Sequence, residues 1–316
     1  MVSAGRARYL AASQLNLEGN FMNRLVLSSC LVAAAVFAQS KDAGIAAPAA
    51  TFKDLATPES VLYDAASDTY LVSNINGAPT AKDNNGFIAE LNPDGTVVNA
   101  KLIEGGKNKV TLNAPKGSAL VDGVLYVADI DTVRMFDRKT GAPKGEVPLK
   151  GATFANDVAA GADGNIYVSD SGLNAKFEGT GTDAIWVFKA GKKPTAKVLV
   201  KSKDLHGPNG LLVTKVAVHV VSFGAPELQT YDLKGKRVGD ITTLPNGGLD
   251  GIVMVGDELL VSSWGAKAIY RGKIGGEFKE AFTALEAPAD LGFDTRRNRV
   301  LVPRFQANTV EAYDFK

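Results

Sequence analysis

One supersecondary unit recurs six times along this chain, and that repetition restricts the fold more than any single motif does. Each copy reads as a hairpin, two apolar or alternating runs joined by a tight turn rich in Asp, Gly and Asn. The copies are ESVLYDAASDTYLVSN (59–74), KGSALVDGVLYVAD (116–129), NDVAAGADGNIYVSD (156–170), NGLLVTKVAVHVVSF (209–223), DGIVMVGDELLVSSW (250–264) and ADLGFDTRRNRVLVPR (289–304). A further apolar alternation follows each one: GFIAEL, TVRMFD, AIWVFK, LQTYDL, AIYRGK and TVEAYDF. Five of the six then carry a fourth short run, such as VVNAKLI or AKVLVKS. Six four-stranded units predict an all-β fold, a six-bladed β-propeller. Outside the first forty residues no segment has a helical period, which argues against α/β layers. A two-domain β-sandwich would use as many strands but has no such repeat.

The sixth unit stops at its third strand, while a spare strand-like segment, AATFKDL (49–55), precedes the first hairpin. If that segment supplies the missing outer strand of the last blade, the ring closes and no sheet edge is left at the seam. The propeller is therefore expected to be a single domain over residues 39–316.

Residues 1–38 read differently. Met22-Asn23-Arg24 leads into LVLSSCLVAAAVFA (25–38), one positive charge followed by a short apolar run ending in small residues. This is the pattern of a secretory signal cleaved after Ala38, too short to span a bilayer comfortably. Met22 is the expected start, with 1–21 as an upstream extension. A lipobox at Leu27-Ser28-Ser29-Cys30 is the rival reading, but the apolar run lies mostly after it, which is the wrong order. Cleavage removes Cys30, the single cysteine, so neither a disulfide scaffold nor a thiolate metal cluster is available. The product is expected to be soluble, periplasmic or secreted, free of the membrane, and a monomer or weak oligomer. The full chain's 35 Lys+Arg against 34 Asp+Glu leave no electrostatic footprint for nucleic acid.

The start of each inner strand lies near one mouth of a propeller's channel. Aligning the six copies places Glu59, Lys116, Asn156, Asn209, Asp250 and Ala289 there. Four of these carry side-chain oxygens, two carboxylates and two carboxamides. Oxygen donors without His or Cys suit a hard cation, Ca²⁺ first, with Mg²⁺, Mn²⁺ or Zn²⁺ as other occupants. Two carboxylates balance a double positive charge, and water or substrate would complete the shell. Turn-forming Asn and Asp are common, but a turn does not require them at one repeat-equivalent position. Gly210 and Gly251, each just after a ring residue, would let backbone come close to the axis.

A six-bladed propeller with Glu, Asn, Asn and Asp on successive inner strands resembles the superfamily of senescence marker protein (regucalcin), gluconolactonase, diisopropyl fluorophosphatase and paraoxonase. Asn156-Asp157 and Pro208-Asn209-Gly210 are also similar to its motifs. The resemblance implies a Ca²⁺ site at Glu59, Asn156, Asn209 and Asp250, and metal-dependent hydrolysis of lactones, phosphotriesters or related esters. It implies Asp250 as general base or direct nucleophile. The gluconolactonase branch has an Arg two residues before the first Asn; here Phe154 stands there, a departure from a sugar-acid site. Strictosidine-synthase-like propellers usually lack the acidic ring that Glu59 and Asp250 keep.

The second strands return to the same mouth, so their ends, Asn74, Asp129, Asp170, Phe223, Trp264 and Arg304, are expected to contact a small-molecule substrate. Phe223 and Trp264 would form an apolar wall and Arg304 an anion contact. His206, three residues before Asn209, is a candidate proton shuttle. His219, inside VAVHVVS, reads as a core or face residue. The loops 76–85 and 172–183 exceed what hairpins need and are lid candidates. A non-catalytic propeller that uses a metal for stability and its mouth for a ligand or protein partner is the alternative function.

Overall fold

The hairpin turns do what their residues dictate. In the second copy, Val121 and Val124 pair directly across Asp122-Gly123. Both turn residues have positive φ, 50° and 75°. That is the geometry whose twist matches the strands it joins, and it favours Asp-Gly. The computed structural model describes residues 47–315; the leader, its cleavage after Ala38 and the Met22 start lie outside the described residues. Among the described residues there are six antiparallel sheets of four strands and one short 3₁₀ turn, Lys203–Leu205. No helix among them is long and apolar enough to cross a membrane.

The inner strands are Pro58–Asp64, Pro115–Val121, Ala155–Ala160, Pro208–Val213, Leu249–Val255 and Gly292–Asp294. Each touches the inner strand of both neighbouring sheets, and the sixth touches the first, so the sheets close into a six-bladed ring. Six apolar clusters fill the spaces between adjacent blades. Each blade is thus covered on both faces, which is why the second strands read as near-continuous apolar runs such as VLYVAD.

The last blade is completed from the front of the chain. Ala50–Phe52 pairs antiparallel with Thr309–Asp314, with Phe52 opposite Val310 and Ala50 opposite Ala312. Phe52 is buried in the cluster between the last and first blades, edge-on to Tyr70. The seam is therefore a full β-ladder backed by core, and the closure read from the spare segment 49–55 holds.

Two devices shape the channel. In blades one to five the ladder between first and second strands shifts register at the ring residue: between Pro58 and Ser60, Pro115 and Ser118, Ala155 and Val158, Pro208 and Leu211, and Leu249 and Ile252. Such bulges bend a strand and re-aim one side chain; here they face the axis. The second device is glycine. A Cβ on Gly251 would overlap the backbone N of Leu291 and lie 2.7 Å from Cα of Asp290, and one on Gly117 would lie 2.6 Å from Cα of Asp157. No side chain larger than hydrogen fits where adjacent inner strands come this close.

Candidate functional site

At the mouth formed by the starts of the inner strands lies a cavity of about 330 Å³. Its polar floor is Glu59, Lys116, Asn156, Asn209 and Asp250, with Ser171 beside them. Its walls are Ile75, Pro79, Phe154, Leu173, Phe177, Phe223, Trp264 and Phe305. All five floor residues are buried. Ala289, the sixth ring residue, is also buried but has no polar side chain to contribute.

The floor has an unusual polar imbalance. Oε2 of Glu59, Oδ1 of Asn156, Oδ1 of Asn209 and Oδ1 of Asp250 are each buried and accept no hydrogen bond. Orphaned buried oxygens are rare because desolvation without a partner is costly, and here four strands each contribute one to a single cavity. Among the described residues no cluster of three or more His, Cys, Asp or Glu could hold a metal. This set draws half its donors from carboxamides, a mixture that suits a hard divalent cation and that a carboxylate count overlooks. By this test the residues fit such an ion.

Their neighbours hold them in place. Trp264 Nε1 donates to Oδ2 of Asp250 at 2.8 Å, leaving Oδ1 free. Asn156 Nδ2 donates to Ser171 Oγ at 3.0 Å, and Ser171 in turn donates to the carbonyl of Pro208 at 2.7 Å. Because the serine hydrogen is committed to Pro208, the Asn156 amide must present its NH₂ to Ser171 and its oxygen to the cavity. One layer further in, Asp157 accepts from the backbone of Val158 and Leu211, both at 2.6 Å, and Asp290 accepts from Ser60 at 2.7 Å. These two carboxylates tie adjacent blades together.

Burial dominates the electrostatics. It lifts Glu59 well above the usual carboxylate range, with the Asp250 and Asp290 charges adding to the effect and Lys116 opposing it. Burial also pushes Asp250 up to about 8, against the pull of the Trp264 hydrogen bond. Asp157 rises to about 6 for the same reason. Lys116 is brought down to about 8 by burial, against the charges of Glu59 and Asp129. Its ammonium donates to the carbonyls of Pro79 and Ala114, at 2.9 and 3.2 Å, and lies 4.5 Å above the Phe154 ring.

The expected substrate contacts divide by register. Asn74, Asp129, Asp170 and Arg304 do not line the cavity, whereas Phe223 and Trp264 do. The first four are each paired with the residue just before the ring position: Pro58, Pro115, Ala155 and Pro288. Ser222 and Ser263 are their equivalents in the other two blades, opposite Pro208 and Leu249. Side chains at this register point away from the mouth and hold the incoming loops. Asn74 accepts from Ala56 N, Asp129 from Ala114 N, and Asp170 from Phe154 N, each at 2.9 Å. Arg304 pairs with Glu311. The next residue in each strand faces the other way, as a period of two demands. Ile75, Ser171, Phe223, Trp264 and Phe305 occupy that position and line the cavity.

His206 is not brought to the cavity either. It caps the 3₁₀ turn in a left-handed conformation, 45% exposed, with Nδ1 3.1 Å from Glu227. His219 is buried against Thr230. The two long loops do reach the site, through Pro79 on one and Leu173 and Phe177 on the other. The aromatic wall is continuous, with Trp264 5.8 Å from Phe223 and 5.2 Å from Phe305 between ring centroids.

No protein-family model matches the chain, and no curated sequence matches it. Solved structures do. A gluconolactonase of Xanthomonas campestris is 18% identical, with a TM-score of 0.62 over 83% of this chain and 87% of its own. Regucalcin of Agrobacterium tumefaciens strain C58, described as a calcium-binding protein, is 18% identical, with a TM-score of 0.59 over 82% and 90%. Virginiamycin B lyase of Staphylococcus aureus is 13% identical, with a TM-score of 0.56 over 84% and 99%. At these identities the likeness shows the shared six-bladed fold; two of these neighbours belong to the group that the ring residues resemble.

Proposed function

We propose that this protein is an exported hydrolase of lactones or related esters that depends on a divalent cation, Ca²⁺ in the first instance. One observation carries the reading: four buried oxygens without partners, one each from Glu59, Asn156, Asn209 and Asp250, lie in the floor of one cavity. A divalent ion held by them would polarise a carbonyl or phosphoryl oxygen and favour attack by water. The chain's own residues do the rest. Trp264 fixes the Asp250 carboxylate, whose role is to take the proton from the attacking water. The apolar walls bind the body of the substrate and keep bulk water out. Gluconolactonase among the neighbours supports lactone chemistry, and regucalcin supports calcium. The leader-like segment 22–38 supports export.

The test has two steps. Calorimetry with the purified chain should show stoichiometric calcium uptake. Turnover across a panel of lactones, aryl esters and phosphotriesters should then find a substrate whose hydrolysis needs the metal and is lost in Asp250→Asn while the fold survives. Uptake of no ion would end the reading. One observation favours a second reading, a metal-stabilised propeller that binds a ligand without cleaving it. Among the residues lining the cavity, the ring carboxylates and Lys116 are the ionisable groups, so no carboxylate or histidine outside the ring stands by as a base. Calcium uptake with raised melting temperature, and no turnover across the panel, would decide for it.

A further inference from the structure

Three ionisable side chains line the cavity: Glu59, Asp250 and Lys116. Lys116 is 1% exposed. Lysine is seldom buried so deeply without a partner of opposite charge, because an uncompensated cation away from water is costly. Here no carboxylate lies within salt-bridge distance of its ammonium among the described residues. Its acceptors are two backbone carbonyls, Pro79 on one long loop and Ala114 just before the strand. An ammonium has three N–H groups, so one remains without an oxygen acceptor, with only the Phe154 ring, 4.5 Å away, to attract it, beside a cavity whose remaining walls are almost wholly apolar.

The charge balance adds a second argument, which rests on the reading of the site as a metal centre. When Glu59 and Asp250 are matched by a divalent ion, they cancel it, and Lys116 is left as the surplus positive charge of the lining. A largely apolar cavity whose lining carries one surplus positive charge is complementary to a ligand with one negative charge. The same cavity offers aromatic faces at Phe154, Phe223, Trp264 and Phe305 for the rest of that ligand. Its volume, about 330 Å³, is at the small end for ligand sites.

We propose that Lys116 is the anion anchor of this cavity, and that the site selects small apolar molecules, aromatic or aliphatic, bearing a single carboxylate. The unused N–H of Lys116 binds that carboxylate, the aromatic wall binds the apolar body, and the four ring oxygens are left to their ion. Lys116 is thereby a specificity residue. A neutral lactone does not need it, whereas a carboxylate-bearing one does.

The test is a binding measurement, so it does not depend on turnover. Wild type and Lys116→Met, a neutral replacement that keeps the stem packed over Phe154, are titrated by calorimetry with 4-phenylbutanoate and with its amide. Both titrations are run with calcium and again with a chelator, and near-ultraviolet circular dichroism checks that the variant keeps its packing. Wild type should bind the carboxylate about tenfold or more tighter than the amide, the worth of one charge-assisted hydrogen bond. Lys116→Met should lose that preference and bind the amide as before. A preference that survives in Lys116→Met, or is missing from wild type, overturns the proposal. If Lys116→Met does not fold, Lys116→Arg serves instead: it keeps the charge and should keep the preference, and its loss there likewise overturns the anchor. Failure to take up calcium would end the hydrolase reading and the charge-balance argument with it, while the chelator titration would still report on the unused N–H of Lys116.

Discussion

The indole N–H of Trp264 points at Oδ2 of Asp250, 2.8 Å away, and so divides that carboxylate into one satisfied oxygen and one bare one. The bare atom is in the cavity floor. Asp250 lies in the first strand of its blade and Trp264 directly follows the second, Glu258–Ser263, so the contact is built into a hairpin. Outer contacts of this kind typically set ligand affinity by ten- to a hundredfold. Trp264→Phe keeps an aromatic ring, though a smaller one, and removes the donor. It should weaken calcium binding by about tenfold in calorimetry while leaving the melting temperature of the metal-free protein within a few degrees. Unchanged affinity would mean that the hydrogen bond does not position Asp250.

Protonation should couple to the metal. Asp250, ordinarily at 3.8, is lifted to about 8, and Glu59 is lifted too. The folded, metal-free chain therefore keeps protons that the unfolded chain gives up. Stability from these groups is full below about pH 4 and is lost as the pH climbs towards 8. Asp157, lifted to about 6, acts in the same sense. Lys116, lowered to about 8, acts in the opposite sense, and only above that pH. With chelator present, the melting temperature should fall from about pH 5 to about pH 8, and calcium should restore most at the upper end. Calcium binding near neutral pH should also release protons, seen as a dependence of the binding heat on the buffer. A flat profile with no proton release would show that these carboxyls are already ionised.

Closure of the ring can be weighed by one residue. Phe52 lies in the core between the last and first blades and belongs to a strand of three residues. Phe52→Ala should destabilise by about 3–5 kcal/mol in urea unfolding. A loss under about 1 kcal/mol would mean that the seam strand is dispensable.

Gly251 tests the tightness of the channel. Because its missing Cβ would meet the backbone of Leu291 and Asp290 rather than a movable side chain, Gly251→Ala should cost at least about 1–3 kcal/mol. It should also displace Asp250 next to it, so calcium affinity should fall more than in Trp264→Phe. Normal stability would place slack between the fifth and sixth inner strands.

His206 offers a negative control. Exposed, paired with Glu227 and away from the cavity lining, it should tolerate replacement by Ala with calcium affinity and turnover within about twofold of wild type, as surface changes usually do. A large loss of turnover with unchanged affinity would restore a proton-transfer role.

The repeat made the architecture legible, since each hairpin and each ring residue stands at the same place in its copy. Glu59, Asn156, Asn209 and Asp250 could be aligned before any coordinates because the bulge that aims them recurs with the repeat. The walls were harder for a definite reason. The six copies put the ends of the second strands one residue apart, at Asn74, Asp129, Asp170 and Arg304 in four and at Phe223 and Trp264 in two. In a strand, one residue is the difference between facing the cavity and facing away. The register of Phe223 and Trp264, extended to the other copies, leads to Ile75, Ser171 and Phe305 in the lining. Phe154, Leu173, Phe177 and Pro79 come from loops, whose path has no period to read. Lys116 is in the ring by sequence, but one of its two carbonyl partners, Pro79, is on a long loop whose path the sequence does not give.

The strand Ala50–Phe52 has a bearing on biogenesis. It is made before every other blade strand and finds its partner, Thr309–Asp314, only after all the others have been made. Until then the first and last blades each lack a neighbour, and their apolar flanks stay open to other chains. Whatever order the intermediate blades adopt, the final step joins the first described strand to the last, so a chain released before Thr309–Asp314 is made cannot close its ring.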